Sequence, residues 1–259
     1  MRKLNALYFS ATSTTRKCVT TVASAINLPL ASSINIADRN HIPLPDYSKD
    51  EAVIVAVPVY GGRIPSLAVD KLTQVKGNGA KAIAMVVYGN RDYDDALLEL
   101  TDILKAQDFH IIAAAAFIGQ HSIFPKVGTS RPDNSDMKKL SYFGKICSQL
   151  LDMEIPGSLK IKGNRPYKKY GGVPVHPEGS REKCITCGTC VELCPVAAIN
   201  SEEPWKTNAD TCISCGRCIS VCRQGARNYK GIKYNLIGTV FTAAFTKRKE
   251  PDIIYPSKI

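Results

Sequence analysis

No apolar stretch in this 259-residue chain comes near the ~20 residues that a membrane helix needs. The longest candidates, such as Ile111 to Ile118, are of buried-strand length. The start Met1-Arg2-Lys3 leads into a strand pattern without the apolar core of a signal peptide, so a cytoplasmic location is expected. The Gly-Lys-Ser/Thr ending of a nucleotide-phosphate loop is missing, as is the three-glycine dinucleotide fingerprint. No Ser-His-Asp set or paired carboxylates can be read, and no nucleic-acid recognition motif is present. Substrate-specific acid–base catalysis and DNA binding therefore have no sequence support.

Cysteine is abundant instead. Eight of ten fall between residues 184 and 222, in two runs of identical spacing, Cys-x-x-Cys-x-x-Cys-x-x-x-Cys. Cys184, Cys187, Cys190 and Cys194 form the first run, followed by Pro195; Cys212, Cys215, Cys218 and Cys222 form the second, followed by Arg223. Eight thiolates are the number that two [4Fe–4S] clusters require. In such runs three cysteines reach one cube and the fourth ligates the other. Cluster one is thus assigned to Cys184, Cys187, Cys190 and Cys222, and cluster two to Cys212, Cys215, Cys218 and Cys194. Zinc sites pair two Cys-x-x-Cys knuckles without a third regularly spaced ligand, and disulfides need an oxidising compartment. Cys18 and Cys147 lie off the spacing, on predicted helices, and read as core thiols. Residues 181–228 resemble the bacterial two-cluster ferredoxins, which implies a small pseudo-twofold module that moves single electrons.

The formal charge is +11. Two bound clusters subtract about four charges and a bound cofactor phosphate about two, leaving about +5. The basic excess then compensates anionic cofactors.

Before the cysteines, strand and helix patterns alternate. Strands are expected at Leu4–Phe9, Ser33–Ala37, Ala52–Val57, Ala82–Tyr88 and Ile111–Ile118. Val19, Val22, Ala23 and Ile26 mark one helix face, the run from Pro65 through Leu72 a second helix, Leu97, Leu100 and Leu104 a third, and Met137 through Leu151 a fourth. Five alternations indicate an α/β doubly wound parallel sheet. Ligands of such sheets sit beyond the carboxyl ends of the strands, at the switch point.

Three loops belong at that end. Ser10-Ala11-Thr12-Ser13-Thr14-Thr15 is rich in hydroxyls and precedes a helix, which suits either a phosphate or a plain helix cap. Pro58-Val59-Tyr60-Gly61-Gly62-Arg63 offers an aromatic face and close backbone approach. The third loop runs Tyr88-Gly89-Asn90-Arg91-Asp92-Tyr93. The domain resembles flavodoxins in its hydroxyl loop, with Ser13 where a glycine is common. That resemblance implies a five-stranded sheet in the order 2-1-3-4-5, FMN as cofactor, the first loop on its phosphate and the next two on its ring. Arg63 then stands either beside the flavin ring or in solvent. His121, at the end of the fifth strand, either touches the flavin or lies on the surface.

The whole arrangement resembles bacterial fusions of a flavodoxin-like domain to a two-cluster ferredoxin. The expected division is 1–152 flavodoxin-like, 153–180 a basic Gly/Pro-rich linker, 181–228 ferredoxin and 229–259 a tail. Lys160, Lys162, Arg165, Lys168 and Lys169 would dock an acidic partner, cover the clusters or simply face water. The apolar run from Leu236 to Phe245 would pack on one of the domains. The resemblance implies electron transfer with redox partner proteins. An FMN-dependent reductase of a small acceptor, fed by the clusters, and a redox sensor are the alternatives.

Overall fold

Near-continuous apolar strands need cover on both faces, and a computed structural model, describing residues 2–39, 43–154 and 158–256, shows both covered. Strands β1 (Lys3–Tyr8), β2 (Leu30–Asn35), β3 (Glu51–Pro58), β4 (Lys81–Tyr88) and β5 (His110–Ile118) alternate with helices α1 (Thr14–Ala25), α2 (Ser66–Leu72), α3 (Ala96–Ala106) and α4 (Asn134–Asp152). The five strands are parallel neighbours in the order β2-β1-β3-β4-β5, the order that the flavodoxin resemblance implies. Alternate side chains supply two cores. Leu7, Val55 and Val86 face α2 and α3, where Ala68, Leu97 and Leu100 are buried. Ala6, Ile54 and Met85 face α1 and α4, where Val22, Phe143 and Cys147 are buried.

One strand departs from the expected position. β2 spans Leu30–Asn35 rather than 33–37. It is an edge strand with exposed and half-buried residues, so its apolar signal was weak, and the buried Ile36 and Ala37 follow it as a turn into the core.

The sheet also has a sixth strand. β8 (Asp252–Ile254) pairs antiparallel with β5 through Ala114–Ala116. The segment read as a tail therefore completes the first domain's sheet. Before it, α7 (Ile232–Phe245) lays Tyr234, Ile237, Phe241 and Phe245 on a cluster of Ile123, Phe124, Val127, Val175 and Tyr229. Its other face leaves Ile232, Leu236 and Val240 exposed. Among the described residues no helix is long and apolar enough to cross a membrane.

The basic linker is not free in solvent. Arg165 forms a two-pronged pair with Asp102 at 2.6 and 2.8 Å. The backbone N–H groups of Asn164 and Lys168 donate to Asp95 at 2.8 and 2.6 Å. Lys162 and Lys168 reach Asp92 and Asp94 at 3.1 and 3.0 Å. The acidic partner of this segment is the loop before α3, together with Asp102 of α3, in the same chain.

Candidate functional site

Residues 184–228 form a repeated half-unit. Helices α5 (Thr189–Glu192) and α6 (Arg217–Ser220) follow Gly188 and Gly216, which share a left-handed φ of 73° and 74°. Ala198 N–H donates to Cys194 Sγ, and Ala226 N–H to Cys222 Sγ, both at 3.3 Å. The missing second proline does not alter the turn: Ala197 and Gly225 occupy equivalent left-handed positions, φ 52° and 58°. A two-residue ribbon of β6 (Glu178–Gly179) and β7 (Arg227–Asn228) closes the module.

The thiols gather around two cavities. One is lined by Cys184, Cys187, Cys190 and Cys222, the other by Cys194, Cys212, Cys215 and Cys218. Each set thus takes three cysteines from one run and the fourth from the other. Among the described residues no three His, Cys, Asp or Glu side chains converge as they would on one metal ion, and all ten cysteines are free. Burial pushes the Cys215 thiol up to about 12. A buried thiolate needs compensating positive charge, which the irons of a cluster supply. Thiol donors in two separate sets of four suit the cubanes. Cys18 and Cys147, by contrast, are fully buried among apolar side chains, and burial raises both thiols, Cys18 to about 12.

A third cavity opens at the carboxyl ends of β1, β3, β4 and β5. Thr12, Thr14, Thr15, Pro58, Val59, Tyr60, Gly61, Tyr88 and Gly89 line it, as do Gln120, His121, Ser122 and Ile123. Its remaining wall is the second cysteine loop, through Ile213 and Ser214, and Val173 of the linker. The hydroxyl loop fits a phosphate. Ser13, the residue before α1, caps nothing with its side chain and takes a left-handed φ of 67°, where a glycine would be unstrained. Ser10 Oγ accepts from Arg16 N–H at 3.1 Å. Among the described residues, no acceptor pairs with the N–H groups of Thr12, Ser13, Thr14 or Thr15. Free N–H groups at a helix amino terminus, ringed by hydroxyls, are an anion cradle.

The cavity also has a neutral histidine. His121 Nδ1 accepts from Ile123 and Phe124 N–H at 3.2 and 3.1 Å, which leaves the ring proton on Nε2. Burial, helped by Arg91, lowers its pKa to about 4. Gly89 admits the imidazole: a Cβ there would lie 2.5 Å from His121 Cδ2. On the opposite side, burial and then the neighbouring Cys215 push the Tyr60 phenol well above its ordinary range.

Several residues expected around the ring are placed elsewhere. Arg63 neither flanks the cavity nor faces solvent freely. It pairs with the buried Glu99 at 2.6 and 2.7 Å and donates to Lys168 O, because the linker and α3 close over it. Gly62 packs on Asp94 beside it. Asn90 donates to Phe245 O and Lys247 O at 2.8 and 2.9 Å, Arg91 pairs with Asp94, and Tyr93 bonds Asp252. Asn90 and Tyr93 hold the carboxyl-terminal segment, and Arg91 its own loop, instead of a cofactor. Ser10 serves the loop's own backbone. Ile213, Ser214 and Val173 carried no sequence signal for this cavity; only the folded chain brings them there.

Residues 183–226 match the family model described as a 4Fe-4S dicluster domain. No curated protein sequence matches the chain. Similar solved structures include a flavodoxin from the domain Archaea, 13% identical with a TM-score of 0.42, covering 59% of this chain and 100% of that one. An NADH:FMN oxidoreductase, EmoB, is 14% identical with a TM-score of 0.44, covering 60% and 92%. A short-chain flavodoxin associated with a bacterial microcompartment is 16% identical with a TM-score of 0.43, covering 56% and 95%. With its sheet order and the matched segment, the chain joins a flavodoxin-like domain to an iron–sulfur domain.

Proposed function

We propose that this protein is an electron carrier in which one FMN exchanges single electrons with two [4Fe–4S] clusters, joining one-electron to two-electron carriers. FMN takes up one or two electrons and each cluster one. The observation that supports this reading most strongly is the shared wall: Ile213 and Ser214, between Cys212 and Cys215, line the same cavity as the hydroxyl loop. Thr12, Thr15 and the free N–H groups would hold the phosphate. His121 presents a neutral N–H donor, and Tyr60 lines the cavity near Cys215.

The rival reading, a reductase of a small acceptor, calls for an open flavin edge. Here the linker and cysteine loop stand over the cavity, which favours exchange within the molecule. Anaerobic analysis should find about eight irons, eight acid-labile sulfides and one FMN per chain. Stoichiometric zinc without labile sulfide would remove the basis for the reading.

A further inference from the structure

Arginine is rarely buried completely unless its charge is met. Arg227 is 2% exposed. Its Nη1 donates to Pro204 O, and its Nη2 to Thr207 Oγ1 and, at 3.0 Å, to Pro177 O. All three acceptors are neutral. Its Nε finds no acceptor among the described residues. Two carbonyls and a hydroxyl do not offset the desolvation of a full positive charge. Two sets of thiols lie on either side, and bound clusters would make both anionic. Arg227 lines the cavity of Cys184, Cys187, Cys190 and Cys222. It also borders the other set: the two acceptors of its Nη2, Pro177 O and Thr207 Oγ1, line the cavity of Cys194, Cys212, Cys215 and Cys218. The pairing of Gly179 with Arg227 between β6 and β7 fixes the side chain in this position.

We propose that Arg227 is a fixed positive charge shared by both cysteine sets, which favours the reduced form of each cluster and so raises both reduction potentials. The inference rests on the two-cluster reading above. A cubane with its four thiolates carries a net 2− and becomes 3− on taking one electron from a low-potential one-electron donor; no proton is taken up and no bond breaks. A cation in a low-dielectric wall stabilises that added charge. Arg227 is a positioning residue for charge, not a ligand.

The test is an EPR-monitored redox titration of the full-length holoprotein, with dithionite as reductant, for wild type, Arg227→Gln and Arg227→Lys. Arg227→Gln keeps donors for the carbonyls but removes the charge. Both one-electron equilibria should shift at least tenfold toward the oxidised form, about 59 mV each. Arg227→Lys should stay within a few-fold of wild type. Loss of clusters from the Gln variant alone, with the Lys variant intact, also supports the role of charge. Unchanged potentials in an eight-iron Gln variant, a shift of one cluster only, or equal shifts in both variants would overturn the inference. Loss of clusters from both variants would do so too, since the residue then only holds the carbonyls. Fewer than eight irons in wild type would instead defeat the two-cluster reading itself.

Discussion

Gly216 of the second cysteine loop lies against Thr12 of the hydroxyl loop: a Cβ on Gly216 would sit 3.6 Å from Thr12 Cγ2 and 3.7 Å from Ser122 O. The two loops come from opposite ends of the chain. Arg217, the next residue, pairs with Asp38 at the end of β2, and Ser214 Oγ donates to Val175 O at 2.6 Å. The cysteine module is therefore seated on the first domain by the Arg217–Asp38 pair and on the linker by Ser214.

The crossed arrangement of the thiols predicts the effect of one substitution. Cys222→Ala should damage the cluster held by Cys184, Cys187 and Cys190, which share its cavity, and spare the other. Mössbauer or EPR spectroscopy distinguishes the two. Selective damage to the cluster of Cys212, Cys215 and Cys218 would show that ligation is not crossed.

The hydroxyl loop makes a second prediction. Thr15 is 3% exposed yet lines the cavity. A hydrogen bond to a charged phosphate contributes roughly 1.5–3 kcal/mol, so Thr15→Val should weaken FMN binding about tenfold or more. Isothermal calorimetry on the flavin-free protein measures this. Unchanged affinity would reduce the loop to a helix cap.

His121 links the site to pH. Its folded pKa of about 4 lies below the ordinary 6.5, so the neutral ring is favoured on folding. The resulting stability is fully present above about pH 6.5 and is lost as pH falls toward 4. Its full size is about 3 kcal/mol. Urea denaturation of the apoprotein should show this loss, and His121→Gln should flatten the slope between pH 6.5 and 4. A variant with the slope of wild type would mean that the imidazole is not held neutral.

How much of this was readable beforehand follows from the range of the interactions. The strands from Leu4, Ala52, Ala82 and Ile111 were readable because burial on both faces leaves an unbroken apolar run. The cysteine sets were readable because spacing within a tight turn is local. Arg63 was not, since its partner Glu99 is 36 residues away and a loop arginine carries no mark of a buried carboxylate. Asn90 and Tyr93 went unread for the same reason: their partners lie beyond residue 244. β8 has three residues and half-buried isoleucines, too short for any period to register. The buried Arg227 looked like one more member of a basic excess that was assigned to cofactor charge as a whole.

The central claim is electron exchange between flavin and clusters inside one molecule. Stopped-flow reduction of the fully loaded protein by a one-electron donor, followed at flavin and cluster wavelengths, tests it most directly. The internal phase should have a rate constant that does not change when protein concentration is raised tenfold, because Ile213 and Ser214 wall the hydroxyl-loop cavity in the same chain. A rate proportional to protein concentration would contradict the account, since electrons would then pass only between molecules.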